Sequence, residues 1–288
     1  MKAGLVLVGL LALVLSGCAN MDLKNLKAED IQGLLQVGSA AVDASRDITE
    51  EQEHYLGESV SARLLAKYPL LENRPLTSYV NLVGATVAAS SDRPDIPFHF
   101  AVLDSPEVNA FAAPGGYVFV TRGSLEHMRS EDQLAAVLAH EVGHVCARHA
   151  VKSIQQAKWK QVGTLSAKVG LSMSGADPGM VKLLDEVSNS LVDTLVFKGF
   201  SRAEEREADR LAVAYCARAG YDPQAMVDYL AVLGHGGSEG TLASLSRTHP
   251  APAEREANVK EAIAEGKRPA QNEEAAARRL ARFKRQAL

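Results

Sequence analysis

The chain has 288 residues, enough for one large domain or two small ones. Hydrophobic residues make up 47% and charged residues 23%, a globular balance that excludes a disordered, collagenous or low-complexity chain. With 31 Lys+Arg against 35 Asp+Glu the net charge is −4, which excludes a nucleic-acid binder built on a concentrated basic surface, and three cysteines are too few for a disulfide-built mini-domain.

The first element is an address. Met1 and Lys2 precede an apolar run from Ala3 to Leu15, and Leu15-Ser16-Gly17-Cys18 follows. A charged start, a short apolar core and small residues at a cut site make a secretory signal. The run falls short of the roughly 20 apolar residues a spanning helix needs. A Cys directly after Leu-Ser-Gly resembles a bacterial lipobox, which implies cleavage before Cys18 and its acylation. Ala19 and Asn20 stand where lipoproteins retained at the inner membrane often carry Asp. The resemblance therefore implies a lipid-anchored protein on the periplasmic side of the outer membrane, held stably by several acyl chains. The expected layout is a signal over 1–17, a lipidated N-terminus and tether over 18–45, a main domain over 46–265 and a basic, helical tail over 266–288.

Helical spacing of Leu56, Val60, Leu64 and Leu65 predicts a helix over 49–67, ended by Pro69. Tyr79, Leu82, Val83 and Val87 predict another over 76–89. Strands are expected at 98–103 and 116–121, with Gly115-Gly116 marking the bend before the second. Ser130 and Gln133 have capping-box spacing and open a helix expected to run towards Ile154. Residues 163–179 read as a Gly- and Ser-rich mobile loop, and 180–197 as amphipathic. Ser201 and Glu204 form a second capping box, whose helix stops at Gly220. Further helices fit 223–234 and 251–264. The fold class is mostly α with a small β-sheet.

His140-Glu141-Val142-Gly143-His144 is an HExxH motif, which arises by chance in roughly one chain of this length per hundred. Residues i and i+4 share a helix face, so His140 and His144 can bind one ion, with Glu141 placed to take a proton from the attacking water. A catalytic zinc takes three protein ligands. On the second capped helix Glu205 and Asp209 share a face, and Ala208 and Ala212 beside it permit close helix approach. Glu205 is the preferred third ligand. Asp209 is the carboxylate that orients a ligating His through its other ring nitrogen. Glu204 and Glu207 read as solvated acids favoured at a helix start. On a continuous helix His149 lies about 180° from His140 and faces away from the ion. His54, His99, His127 and His235 receive no role. Cys146 and Cys216 point in different directions and read as two buried thiols. Tyr117, Val118, Phe119 and Val120 are candidates for an exposed strand edge that pairs with an extended substrate, the alternative being a buried central strand.

HEVGH followed by Arg148-His149, then Ser201-Arg202-x-x-Glu205-x-Glu207-Ala208-Asp209, resembles the zinc metallopeptidases of the HtpX, BepA and LoiP type, a family that also contains the CAAX prenyl protease. The match extends to the segment Asn109–Val120 and to Thr248-His249-Pro250, covering roughly 48–262. It implies a zincin-like metallopeptidase domain over 46–265 with one Zn2+ per chain. His140, His144 and Glu205 would be its ligands and Glu141 its base. It also implies that His249 approaches the ion, either stabilising the oxyanion or occupying the fourth position to silence the site. No spanning helix follows the signal, as in the lipoprotein branch. The function implied is an endopeptidase acting on misfolded or misassembled envelope proteins, with outer-membrane assembly machinery as a neighbour. The alternative is a chaperone or assembly factor with latent or minor protease activity. A metal-binding lipoprotein without peptidase activity is a weaker third reading.

Overall fold

The computed structural model describes residues 50–154, 186, 189–236, 245–266 and 272–286. The signal, Cys18, the tether and the 163–179 loop lie outside the described residues.

Helix α1 (Glu50–Lys67) and helix α2 (Arg74–Ala88) come first, α2 opened by Asn73, whose side chain accepts the Leu76 N–H at 3.1 Å. Strands β1 (His99–Leu103), β2 (Ala110–Ala113) and β3 (Tyr117–Thr121) follow. A short α3 (Arg122–Glu126) leads to α4 (Glu131–Cys146). After a π-helical turn at Thr194–Lys198 come α5 (Arg202–Ala219), α6 (Gln224–Gly236), α7 (Pro252–Glu265) and α8 (Glu273–Lys284). Among the described residues no helix is long and apolar enough to cross a membrane.

The sheet order is β1-β3-β2, and this corrects the expectation for Tyr117, Val118, Phe119 and Val120. Strand β3 pairs parallel with β1, from His99↔Tyr117 to Leu103↔Thr121, and antiparallel with β2, from Ala110↔Val120 to Ala113↔Tyr117. Both its backbone edges are used, so it offers none to a substrate. Pro114-Gly115-Gly116 folds β2 back onto β3, with Gly115 and Gly116 at φ 72° and 95°, where a Cβ would be strained. Among the described residues strand β2 lies at the end of the order and is an edge strand.

Both sheet faces are buried. Phe100, Val102, Ala110, Ala112, Val118 and Val120 join one cluster with residues of α2, α4, α5 and α6. Leu103, Phe111, Ala113 and Phe119 join another with Val60 and Leu64 of α1, Ile154 and Leu195. Covering both faces explains why β3 reads as a continuous apolar run rather than an alternating one.

Helix α4 is capped as expected by Ser130, whose hydroxyl accepts the Gln133 N–H at 3.2 Å. The Gln133 side chain accepts from the Arg129 N–H, one residue earlier than a capping box requires. Helix α4 also ends earlier than expected, at Cys146. Arg148 takes a left-handed φ of 56°, and helical turns resume from His149 to Ile154. Helix α5 carries the full Ser201–Glu204 capping box and ends at Gly220 with φ 81°. Helices α4 and α5 approach closely: a Cβ on Gly143 would lie 3.2 Å from the Ala208 carbonyl oxygen. The tail helix α8 docks on the N-terminus of α4, where Arg282 pairs with buried Glu131 and Arg279 with Asp132 at 2.9 Å. Both described cysteines are free, Cys216 buried and Cys146 half-buried.

Candidate active site

Helix α4 presents His140 and His144 on one face, and the close approach at Gly143 brings α5 and its Glu205 against them. The two imidazole Nε2 atoms lie 3.1 Å apart. His144 Nε2 is 3.3 Å from Glu205 Oε1, and His140 Nε2 is 3.6 Å from Glu205 Oε2. Bonds of about 2.0–2.1 Å in a tetrahedral site set ligand atoms roughly 3.3 Å apart, so the spacing suits one zinc ion. Glu205 Oε1 is buried without a hydrogen-bond partner, a costly state that a cation relieves. Burial would raise the Glu205 carboxyl, but His249, His140 and His144 outweigh it and hold the group well below the usual carboxylate range.

His249 completes a four-membered buried cluster, its Nδ1 2.9 Å from Glu205 Oε2. Glu141 is buried beside it. With His140, His249, Asn109 and Ala110 it lines a cavity of about 20 Å3, room for roughly one water.

Asp209 is fully buried and sits where expected, Oδ1 3.0 Å from His140 Nδ1. Arg255 of α7 grips the same carboxylate, its Nη2 2.7 Å from the same Oδ1 and 3.0 Å from His140 Nδ1. Burial would raise Asp209, but Arg255 and His140 hold it well below the ordinary carboxylate range. Burial and Arg255 push His140 down, yet Asp209 and Glu205 prevail and raise it to about 9. Nothing in the spacing of Arg255 marks it. Its role depends on Pro252 starting α7 against α5, a tertiary fact.

His149 departs from expectation. It faces the site, its Nδ1 2.8 Å from His144 Nδ1, because the left-handed Arg148 interrupts the helix on which the 180° arithmetic relied. Its Nε2 lies 3.3 Å from Glu207 Oε2, so Glu207 is not merely solvated. Burial, then the neighbouring His144, pushes His149 down to about 4. His99 stacks on Tyr117 and His54 lies tilted against it, while His127 bonds the Gly123 carbonyl at 2.8 Å, and none of the three joins the cluster.

A family model described as peptidase family M48 matches residues 76–263. The chain belongs to that family. Its zinc dependence agrees with the donor set of the cluster. Among similar proteins, a putative beta-barrel assembly-enhancing protease of Vibrio cholerae is 30% identical over 74% of this chain and 44% of its own length. The metalloprotease LoiP of Escherichia coli is 28% identical over 91% of this chain and 97% of its own length. The mitochondrial metalloendopeptidase OMA1 of Schizosaccharomyces pombe is 29% identical over 76% and 63%. The chain thus spans less than half the length of the beta-barrel assembly-enhancing proteases it matches.

Proposed function

We propose that this chain is a zinc-dependent endopeptidase of the bacterial envelope, hydrolysing peptide bonds in misfolded or misassembled envelope proteins. The observation that carries the reading is the buried convergence of His140, His144 and Glu205 next to Glu141. The names of the relatives, metalloprotease and beta-barrel assembly-enhancing protease, support the chemistry and the setting. The Leu-Ser-Gly-Cys18 sequence supports a lipid anchor at the outer membrane, and the names of the beta-barrel assembly-enhancing relatives support assembly machinery as a neighbour.

His140, His144 and Glu205 would hold the ion. Zinc, when bound, supplies the positive charge that polarises the scissile carbonyl and eases ionisation of water. Glu141 takes the proton from the attacking water and returns it to the leaving amine nitrogen as the C–N bond breaks. Asp209 accepts from His140 Nδ1 and fixes Nε2 as its ligand atom. The expected substrate edge moves from β3 to β2, because Asn109 and Ala110 line the cavity that Glu141 also lines. His249 fills the fourth corner in the resting state, and the narrow cavity leaves no room for a peptide until it moves.

That closed corner is also the observation that favours the alternative, an assembly factor with little cleavage. Glu141→Gln separates the two. Zinc content is measured by atomic absorption, and hydrolysis with casein and a denatured envelope protein. The variant is expected to keep its zinc and lose about 10²–10⁴ in rate. Cleavage near the wild-type rate would remove Glu141 from the mechanism, and no cleavage by the wild type of either substrate would favour the assembly factor.

A further inference from the structure

We propose that His149 and Glu207 form a positioning pair that fixes His144 as an Nε2 ligand. The proposal rests on the zinc reading above. His144 turns Nε2 towards His140 and Glu205, so Nε2 is the nitrogen left free to bind an ion. Its Nδ1 then carries the proton, and a buried N–H requires an acceptor. His140 meets that need with the Asp209 carboxylate. His144 has a different partner, His149 Nδ1 at 2.8 Å.

An imidazole nitrogen accepts only when it bears no proton. His149 must therefore be neutral with its proton on Nε2, and Nε2 faces Glu207 Oε2 at 3.3 Å. The direction of every bond follows. His144 Nδ1–H donates to His149 Nδ1, and His149 Nε2–H donates to Glu207. Without the carboxylate, the other tautomer of His149 would set two N–H groups face to face and turn His144 away from its ligand orientation. Packing removes the alternatives: His149 is fully buried, and the Phe200 ring stacks on His144 at 4.5 Å between centroids and lies 5.7 Å from His149. Alternate acids of α5 thus divide the work. Glu205 faces His140 and His144 and would join them in holding the ion, Glu207 orders the partner of His144, and Asp209 orders His140.

The test measures zinc affinity of the purified full chain by competition with a chromophoric chelator, and the visible spectrum of its Co2+ form. Loss of an outer partner typically costs 10–100-fold in metal affinity. His149→Phe, which keeps the ring volume beside Phe200, is expected to lose about that much and to shift the cobalt bands. His149→Gln, whose amide oxygen accepts the same N–H, is expected to stay near wild type. Glu207→Leu is expected to weaken zinc in the same direction, by less. Equal losses for Phe and Gln would mean that the ring only packs, and wild-type affinity in His149→Phe would likewise overturn the proposal. Should His149→Phe not fold, half-exposed Glu207 carries the test: weaker zinc in Glu207→Leu supports the pair, and unchanged zinc overturns it. Wild-type protein that binds no zinc would instead overturn the reading of the site itself.

Discussion

Replacing His249 with Ala is expected to raise basal proteolysis. In the resting arrangement His249 is tied to the site through Nδ1 and Glu205 Oε2 at 2.9 Å, with side chains 7% and 1% exposed. A buried hydrogen bond to a charged group contributes about 1.5–3 kcal/mol. A latch of that strength leaves roughly 1–10% of molecules open at any moment, and its removal frees the rest. The rise should therefore be about 10–100-fold in kcat/KM. The assay is casein hydrolysis by wild type and His249→Ala brought to equal zinc content. A second perturbation leaves the imidazole intact. Gly199, at φ 69°, abuts the segment before His249, and a Cβ there would lie 1.9 Å from the Thr248 carbonyl oxygen. Gly199→Ala must displace that segment and should raise basal cleavage in the same direction. Equal rates in wild type and His249→Ala would refute the latch. A fall of about 10²–10³ would make His249 an oxyanion donor instead, since that is the usual loss for one such group.

Arg255→Met should destabilise the fold by about 3–5 kcal/mol, the cost of leaving one partner of a buried ion pair alone, measured by chemical denaturation. The acid limb should respond too. Asp209 has its pKa depressed in the fold, so its contribution is present above the unfolded value of about 3.9 and is lost as pH falls through the folded value. Without Arg255 the depression shrinks, and acid unfolding should begin at higher pH; an unchanged acid midpoint would show that Arg255 does not set it. Cys18→Ser should yield a protein without acyl chains that leaves the membrane fraction, and firm retention there would mean another anchor.

The parts of the site that were legible are those whose geometry is local. His140 and His144 share a face because four residues nearly complete a helical turn, and Ser201, Glu204 and Gly220 mark the ends of α5 by hydrogen bonds within a few residues. Ala208 and Ala212 announced a close helix contact because small side chains are what such a contact requires. The illegible parts are tertiary. Arg148 enters the left-handed region without being Gly or Asn, and its ion pair with Glu53, 95 residues upstream, accompanies that turn. One such residue sufficed to carry His149 from the far side of a notional helix onto His144. Strand β2 is four small or apolar residues with no alternation, so nothing local sets it apart from a loop, and without it the sequence leaves open whether β3 is an edge or a central strand. Arg255 shows its partner only once α7 packs on α5.

These tertiary contacts also decide which part of the site can move. Helix α4 is fastened at both ends. At its N-terminus buried Glu131 accepts from Tyr79 at 2.9 Å, Tyr221 at 3.3 Å and Arg282. At its C-terminus Arg93 forks onto Glu53 with two contacts of 3.1 Å and donates to the Val145 carbonyl, while Arg148 closes on the same carboxylate. Losing either buried cluster costs several kcal/mol, so His140 and His144 stay fixed relative to the sheet. Helix α5 is held against α4 along the Gly143–Ala208 contact and by Asp209, which joins His140 to Arg255. His249 is joined to His140, His144 and Glu205 by a hydrogen bond to Glu205 and by looser ring contacts, with centroids 5.4 Å from His140 and 6.4 Å from His144. The cheapest rearrangement that opens the fourth corner is therefore a shift of His249 alone. If the site is held quiet at rest, as proposed, that division serves it: three donors are braced by buried contacts, and the release of the fourth costs little more than the bond that holds it.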